Sequence, residues 1–177
     1  MLIYELIKQD HDKVKGLLND LLLVSEKDDL RSRLIDQIRD EIIPHSRAEE
    51  SVFYNSLRAL DVSKDIVMHG YGEHVEIETL LRTLQLKDIV DANWRKTAIK
   101  LRETLIHHID EEEDKIFTVA KKVFTRDEAV MMGYAFEELK PEVRGENFVQ
   151  TTFDLVINLM PPRFVPQQQH FNPERRP

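Results

Sequence analysis

Four long segments of this chain carry an apolar stripe that advances by alternating steps near three and four residues, and each stripe is interrupted near its middle by a histidine in phase with it. In the first segment, residues 2 to 24, His11 falls between Ile7 and Val14 of the series Ile3, Ile7, Val14, Leu18, Leu21. The second, 29 to 60, reads Leu34, Ile38, Ile42, His45, Glu49, Phe53, Leu57. The third, 63 to 86, reads Val67, Gly70, His74, Ile77, Leu81, Leu84, with Ser63 as its expected N-cap. The fourth, 90 to 123, reads Trp94, Ala98, Leu101, Leu105, His108, Glu112, Ile116, Val119, Val123. Steps of three and four keep one helical face turned inward. Short connectors then require consecutive helices to run antiparallel, so the expectation is an all-α, up-down-up-down four-helix bundle.

The rest of the chain extends this plan. Thr125-Arg126-Asp127-Glu128 fits a capping box and opens a shorter fifth helix ending near Lys140-Pro141. Residues 148 to 159 read as a further helical stretch, and the tail PPRFVPQQQHFNPERRP, with five of the seven prolines, reads as extended. We expect residues 1 to 124 to form the bundle and 125 to 177 a helical extension and tail packed on it or trailing from it. Only 5 of 177 residues are glycine, which disfavours a turn-rich β architecture.

Mid-helix positions of an antiparallel bundle fall at a common height, because each residue adds only 1.5 Å. His11, His45, His74 and His108 are therefore expected in one buried layer. Glu49 and Glu112 join it, since each lies four residues after a histidine and so one turn away on the same face. Buried carboxylates need a cationic partner. A carboxylate can bridge two metal ions about 3.5 to 4 Å apart, and the histidines supply neutral donors. The chain has no cysteine, so a metal must be held by imidazole and carboxylate, a set that suits iron, manganese or zinc. HSRAEESVFYNSL from His45 and HIDEEEDKIFTVA from His108 form a weak internal repeat that favours His108 over His107. Pro44 is expected to kink the second helix just before His45.

These residues resemble the hemerythrin-like, or HHE cation-binding, family. The resemblance covers residues 5 to 123 and implies a non-haem di-iron centre, oxo- or hydroxo-bridged, with His11, His45, Glu49, His74, His108 and Glu112 as its metal ligands. Two departures set the chain apart from the oxygen carriers of that family. Glu78 stands where they have a second histidine on the third helix, and the last helix offers HxxxE in place of HxxxxD. The cysteine-bearing leader of iron–sulfur-repair relatives is absent as well.

Six ligands, two of them bridging, make about eight bonds, whereas two octahedral ions take twelve, so a small ligand such as O2, NO or peroxide has open positions to occupy. The leading expectation is a metal-binding protein for sensing, storage or stress response. The alternatives are a redox enzyme on the same metal pair and a metal-free helical interaction module. A net charge of -8 without a basic stripe argues against nucleic acid as a partner. No apolar run is long enough for a membrane span and the N-terminus has no leader pattern, so the expected location is the cytoplasm. The oligomeric state stays open, a homodimer included. Glu50 and Glu113 are expected to orient ligands or to face solvent. His69 and Glu78 flank the third stripe, each as a reserve ligand or as a partner orienting a ligand imidazole; Asp110, Glu111 and Asp114 read as a solvated charge run, and Tyr4, Phe53, Tyr54 and Phe117 as packing residues. His170 is given no role.

Overall fold

A stripe repeating every three to four residues turns one face of a helix toward a common core, and each such segment forms a long helix within its described residues. The computed structural model describes residues 1–24, 30–60, 64–86, 91–143 and 160–164. Helix α1 is Ile3–Leu23. Helix α2 runs as Leu30–Glu49, a π-helical turn Glu50–Tyr54 and a final α-helical turn Asn55–Arg58. Helix α3 is Lys64–Gln85. Helix α4 is built like α2, as Ala92–Glu111, a π-helical turn Glu112–Ile116 and Phe117–Val123. Helix α5 is Arg126–Val143, and a 3₁₀ turn follows at Pro162–Phe164. The expected Ser63 cap, the helical stretch at 148 to 159, the tail beyond residue 164 and His170 lie outside the described residues. None of the described helices is long and apolar enough to cross a membrane.

Local signals account for the starts of α4 and α5. The capping box at the start of α5 is formed, with the Thr125 N–H donating to Glu128 Oε2 at 2.8 Å and the Glu128 N–H donating to Thr125 Oγ1 at 3.3 Å. Asp91 caps α4 by accepting from the Trp94 N–H at 2.6 Å. Both internal prolines sit within helices. Pro44 lies inside α2, and α5 runs past Pro141 to Val143, slightly beyond its expected end.

Cross-helix polar pairs fix the register. Lys13 pairs with Glu41 and Asp10 with His45 between α1 and α2, so one helix descends as the other rises. The same reversal holds for Arg47–Glu78 and Glu50–His74 between α2 and α3, for Lys100–Glu76 and His108–Glu73 between α3 and α4, and for Lys8–Glu113 and Asn19–Arg102 between α4 and α1. Helix α5 lies across α1 and α2. Gly133 permits that approach, because a Cβ there would stand 2.6 Å from the Met1 carbonyl oxygen.

The interior divides into two apolar clusters. One is aromatic-rich and includes Tyr4, Phe53, Tyr54, Phe117, Phe124 and Phe136 of α5. The other is largely aliphatic and includes Val14, Leu18, Ile38, Ile77, Leu81, Leu101 and Leu105, with Trp94. Along each of α1 to α4 the chain passes from one cluster to the other at its inward histidine. At those positions the fold gives up about 1.5–3 kcal/mol of burial for each large apolar side chain it omits.

Candidate metal centre

The layer between the two clusters holds His11, His45, Glu49, His74, His108 and Glu112, all of them buried. His11 Nε2 lies 3.3 Å from Glu112 Oε2, and His74 Nε2 lies 3.4 Å from Glu49 Oε2. His45 Nε2 stands 3.8 Å from Glu49 Oε2. His74 and His108 point their Nε2 atoms at each other across 3.1 Å. Glu49, His74 and His108 each present a ligand atom within 4.8 Å of the others. Both carboxylates have no exposure, and their four oxygens, with Nε2 of His11 and of His45, find no hydrogen-bond partner among the described residues. Buried polar atoms are nearly always paired, so this concentration of orphans is informative.

Each imidazole is held from behind by a carboxylate on a neighbouring helix. Asp10 on α1 takes Nδ1 of His45 on α2 at 3.1 Å. Glu50 on α2 takes Nδ1 of His74 on α3 at 2.9 Å. Glu73 on α3 takes Nδ1 of His108 on α4 at 3.0 Å, and Glu113 on α4 takes Nδ1 of His11 on α1 at 3.1 Å, which closes the ring. An ionised carboxylate can only accept, so each Nδ1 carries a proton and, in the neutral imidazole, each Nε2 keeps a lone pair facing inward. Two such lone pairs 3.1 Å apart, at His74 and His108, repel each other. That separation equals the spacing of neighbouring donors on one octahedral ion with bonds of roughly 2.2 Å. Carboxylate-held imidazoles of this kind are the usual way proteins fix a metal-binding tautomer.

The model for the hemerythrin HHE cation binding domain matches residues 2–120. This chain belongs to that family. An uncharacterised hemerythrin-like protein of Schizosaccharomyces pombe is 26% identical over 140 residues, covering 78% of this chain and 68% of that protein. A DNA nickase of Nostoc sp. is 22% identical over 144 residues, which cover 81% of this chain and only 40% of the nickase. Among solved structures, a hemerythrin HHE cation binding domain-containing protein from Mycobacterium kansasii matches with a TM-score of 0.72 at 20% identity, over 90% of this chain and 99% of that one. That likeness carries the fold.

The electrostatics of this HHE domain fit a cation at its centre. Burial, and then the negative Glu112 beside it, push the Glu49 carboxyl well above the ordinary range. Burial acts on Glu112 too, but the neighbouring Glu49 carboxyl and the His11 imidazole outweigh it and hold Glu112 low. Without a cation the two carboxylates behave as a pair sharing a proton. Burial drops His45 to about 4 and lowers His74, so both imidazoles are neutral and ready to donate near pH 7. Burial also opposes the charge on His11, but Glu112 and Glu113 reverse that and raise it. Glu113, hydrogen-bonded to His11, is held at about 2.

All six residues expected in the layer are brought together by the fold. Glu50 and Glu113 orient imidazoles, one of the two roles expected for them. Asp10 and Glu73 were not anticipated. Each directly precedes an inward histidine, and one residue along a helix is a rotation of 100°, which turns its side chain toward the next helix. Glu78 stands apart from the layer, pairing with Arg47 at 2.7 Å and Arg82 at 2.5 Å. His107 is exposed, on the flank where the seam placed it. Tyr4, Phe53 and Phe117 pack together, while Tyr54 stacks parallel to the His74 ring at 5.5 Å. From α5, Lys140 grips Asp10 at 2.9 Å and Phe136 meets the His45 ring edge-on.

Proposed function

We propose that His11, His45, Glu49, His74, His108 and Glu112 would hold two iron ions in the buried layer, and that the protein binds O2, NO or peroxide there for sensing, storage or stress response. The observation that carries the reading is the set of orphaned inward atoms backed by a closed ring of carboxylates. Two buried acids would otherwise burden the fold with uncompensated desolvation. Bound iron supplies exchangeable coordination positions and a reversible one-electron couple. The side chains supply the remainder. Asp10, Glu50, Glu73 and Glu113 fix the proton on each Nδ1. The closed packing of the two apolar clusters keeps bulk water away.

A small cavity supports the choice of ligand. It leaves about 10 Å³ for the centre of a water-sized sphere and is lined by the four histidines together with Val14, Ile42, Leu105 and Ile109. Asp10 and Ser46 complete the lining, and the space suits one small guest about the size of a water.

The test is metal analysis of protein purified from iron-replete cells, with absorption spectra before and after reduction and after addition of NO. Two irons per chain, an oxidised-state charge-transfer band that bleaches on reduction and a stable NO adduct are expected. Less than one metal per chain would sink the reading. Rapid, repeated consumption of peroxide or NO would replace binding by catalysis on the same centre.

A further inference from the structure

A second group of metal-binding side chains lies outside the buried layer, on the α3–α4 surface. His69 and Glu73 are four residues apart on α3, His107 and Glu111 four apart on α4, and the antiparallel packing brings the two pairs face to face. One ligand atom from each of the four lies within 4.8 Å of all the others. His69 Nε2 is 3.5 Å from both Glu73 Oε1 and Glu111 Oε2, and His107 Nε2 is 3.9 Å from an oxygen of each.

These spacings discriminate between two interpretations. A hydrogen bond or tight ion pair brings nitrogen and oxygen to about 2.7–3.2 Å. Four donors around one tetrahedral ion, with bonds near 2.0–2.2 Å, stand roughly 3.3–3.6 Å apart. The two contacts of His69 already match the tetrahedral edge, and those of His107 need a shift of a few tenths of an ångström. The histidines are 60% and 63% exposed, so that movement is unhindered. Two neutral imidazoles and two carboxylates also balance one dication. Lys115 occupies Glu111, but this lysine is more than half exposed and such a surface pair is easily displaced.

We propose that His69, Glu73, His107 and Glu111 form a second, mononuclear site for a divalent cation of the zinc class, accessible from solvent. Glu73 joins it to the interior, because Oε1 faces the surface histidines while Oε2 accepts from Nδ1 of His108. An ion at the surface draws on the same carboxylate that positions an imidazole of the buried layer. The surface site stands on its own four side chains and does not depend on which metal the interior holds.

Zinc titration of the full-length, metal-loaded protein tests the proposal. The wild-type chain is expected to take up one further equivalent of Zn2+, and its X-ray absorption should show mixed nitrogen and oxygen donors in tetrahedral geometry. His69→Ala with His107→Ala is expected to weaken that equivalent by at least about 100-fold, the upper end of what even a lost orienting partner costs. Glu111→Gln provides a check that retains both histidines and should weaken it as well. Uptake unchanged in both variants, or no further uptake by the wild type, overturns the proposal. Glu49→Gln with Glu112→Gln should deplete the interior metals and leave the surface equivalent in place, so failure at one site is read separately from failure at the other.

Discussion

The buried pairs His45–Glu49 and His108–Glu112 share one spacing with the pairs His69–Glu73 and His107–Glu111, whose imidazoles are exposed, yet the fold gives them different surroundings. In the interior every imidazole has its Nδ1 tied to a carboxylate, while its Nε2 faces Glu49, Glu112 or another imidazole. At the surface the same i, i+4 geometry leaves both imidazoles mostly in water. Helical spacing sets which side chains can meet. Burial sets how much energy depends on what fills the space between them, since two unpaired acids cost several kcal/mol in an apolar interior and very little at the surface.

Metal removal should separate the two regions most strongly. An ion pair bound at 1,000 times its dissociation constant adds about 4 kcal/mol to the folded state. For a chain of this size that is roughly 8–16 °C in Tm. Chelation of the loaded protein, followed by calorimetry, is expected to show a drop of this order, and the His69→Ala, His107→Ala variant should show the same drop. An unchanged Tm on chelation would mean that the buried acids are stabilised some other way.

The pH dependence of the metal-free chain should come next in size. Glu49 has its folded pKa raised above its unfolded value, and so does His11. A group with a raised folded pKa contributes stability that is lost as pH rises through that pKa. His45, lowered to about 4, works in the opposite sense, but only between that value and 6.5, where the unfolded chain is the better proton binder. From pH 6.5 upward the metal-free protein should therefore become less stable. The loaded protein, whose ligands must be deprotonated to bind, should hold its metal more tightly over the same range. Urea midpoints across that range, with and without metal, measure both slopes. Parallel slopes would contradict a cation between Glu49 and Glu112.

The apolar stripes made the bundle legible in the sequence, and the phase of four histidines and two glutamates within those stripes made the layer legible too. The carboxylate ring was half visible. Glu50 and Glu113 stood out beside their glutamate neighbours, whereas Asp10 and Glu73 carry no local signal, because their partners are on other helices and only the helix-to-helix register reveals them. The π-helical turns were hidden for a related reason. Glu50–Tyr54 and Glu112–Ile116 occupy corresponding places in the internal repeat, and a turn widened by one residue leaves an apolar pattern almost unchanged. Pro44 drew attention as the irregularity in α2, while the π-helical turn lies beyond it, directly after Glu49. The contribution of α5 was likewise invisible, since nothing near Lys140 marks it as the partner of Asp10.

The carboxylate ring yields smaller, graded effects. Asp10→Asn and Glu113→Gln keep the shape but remove the charge that fixes the Nδ1 proton of His45 and His11, and each should weaken metal retention by about 10- to 100-fold. Gly70→Ala should disturb the site from another direction, because its Cβ would come within 2.7 Å of the Tyr54 hydroxyl and press that ring on His74. Competition against a chromophoric chelator gives these affinities, and equal retention by Asp10→Asn and wild type would remove the ring from the account.

His69→Ala should have the smallest effect of all. In chelator-treated protein it alters a side chain that is 60% exposed and whose nearest carboxylate oxygens, 3.5 Å away, lie beyond hydrogen-bonding distance. Its cost should stay within about 0.5 kcal/mol by urea denaturation, as for other surface substitutions. Adding Zn2+ should then stabilise the wild-type chain more than the variant, because the wild type gains a ligand bound only in its folded state. A cost well above that limit before zinc is added would show that His69 already supports the fold, and the contrast between a site that holds the bundle together and one that merely decorates it would fail at this residue.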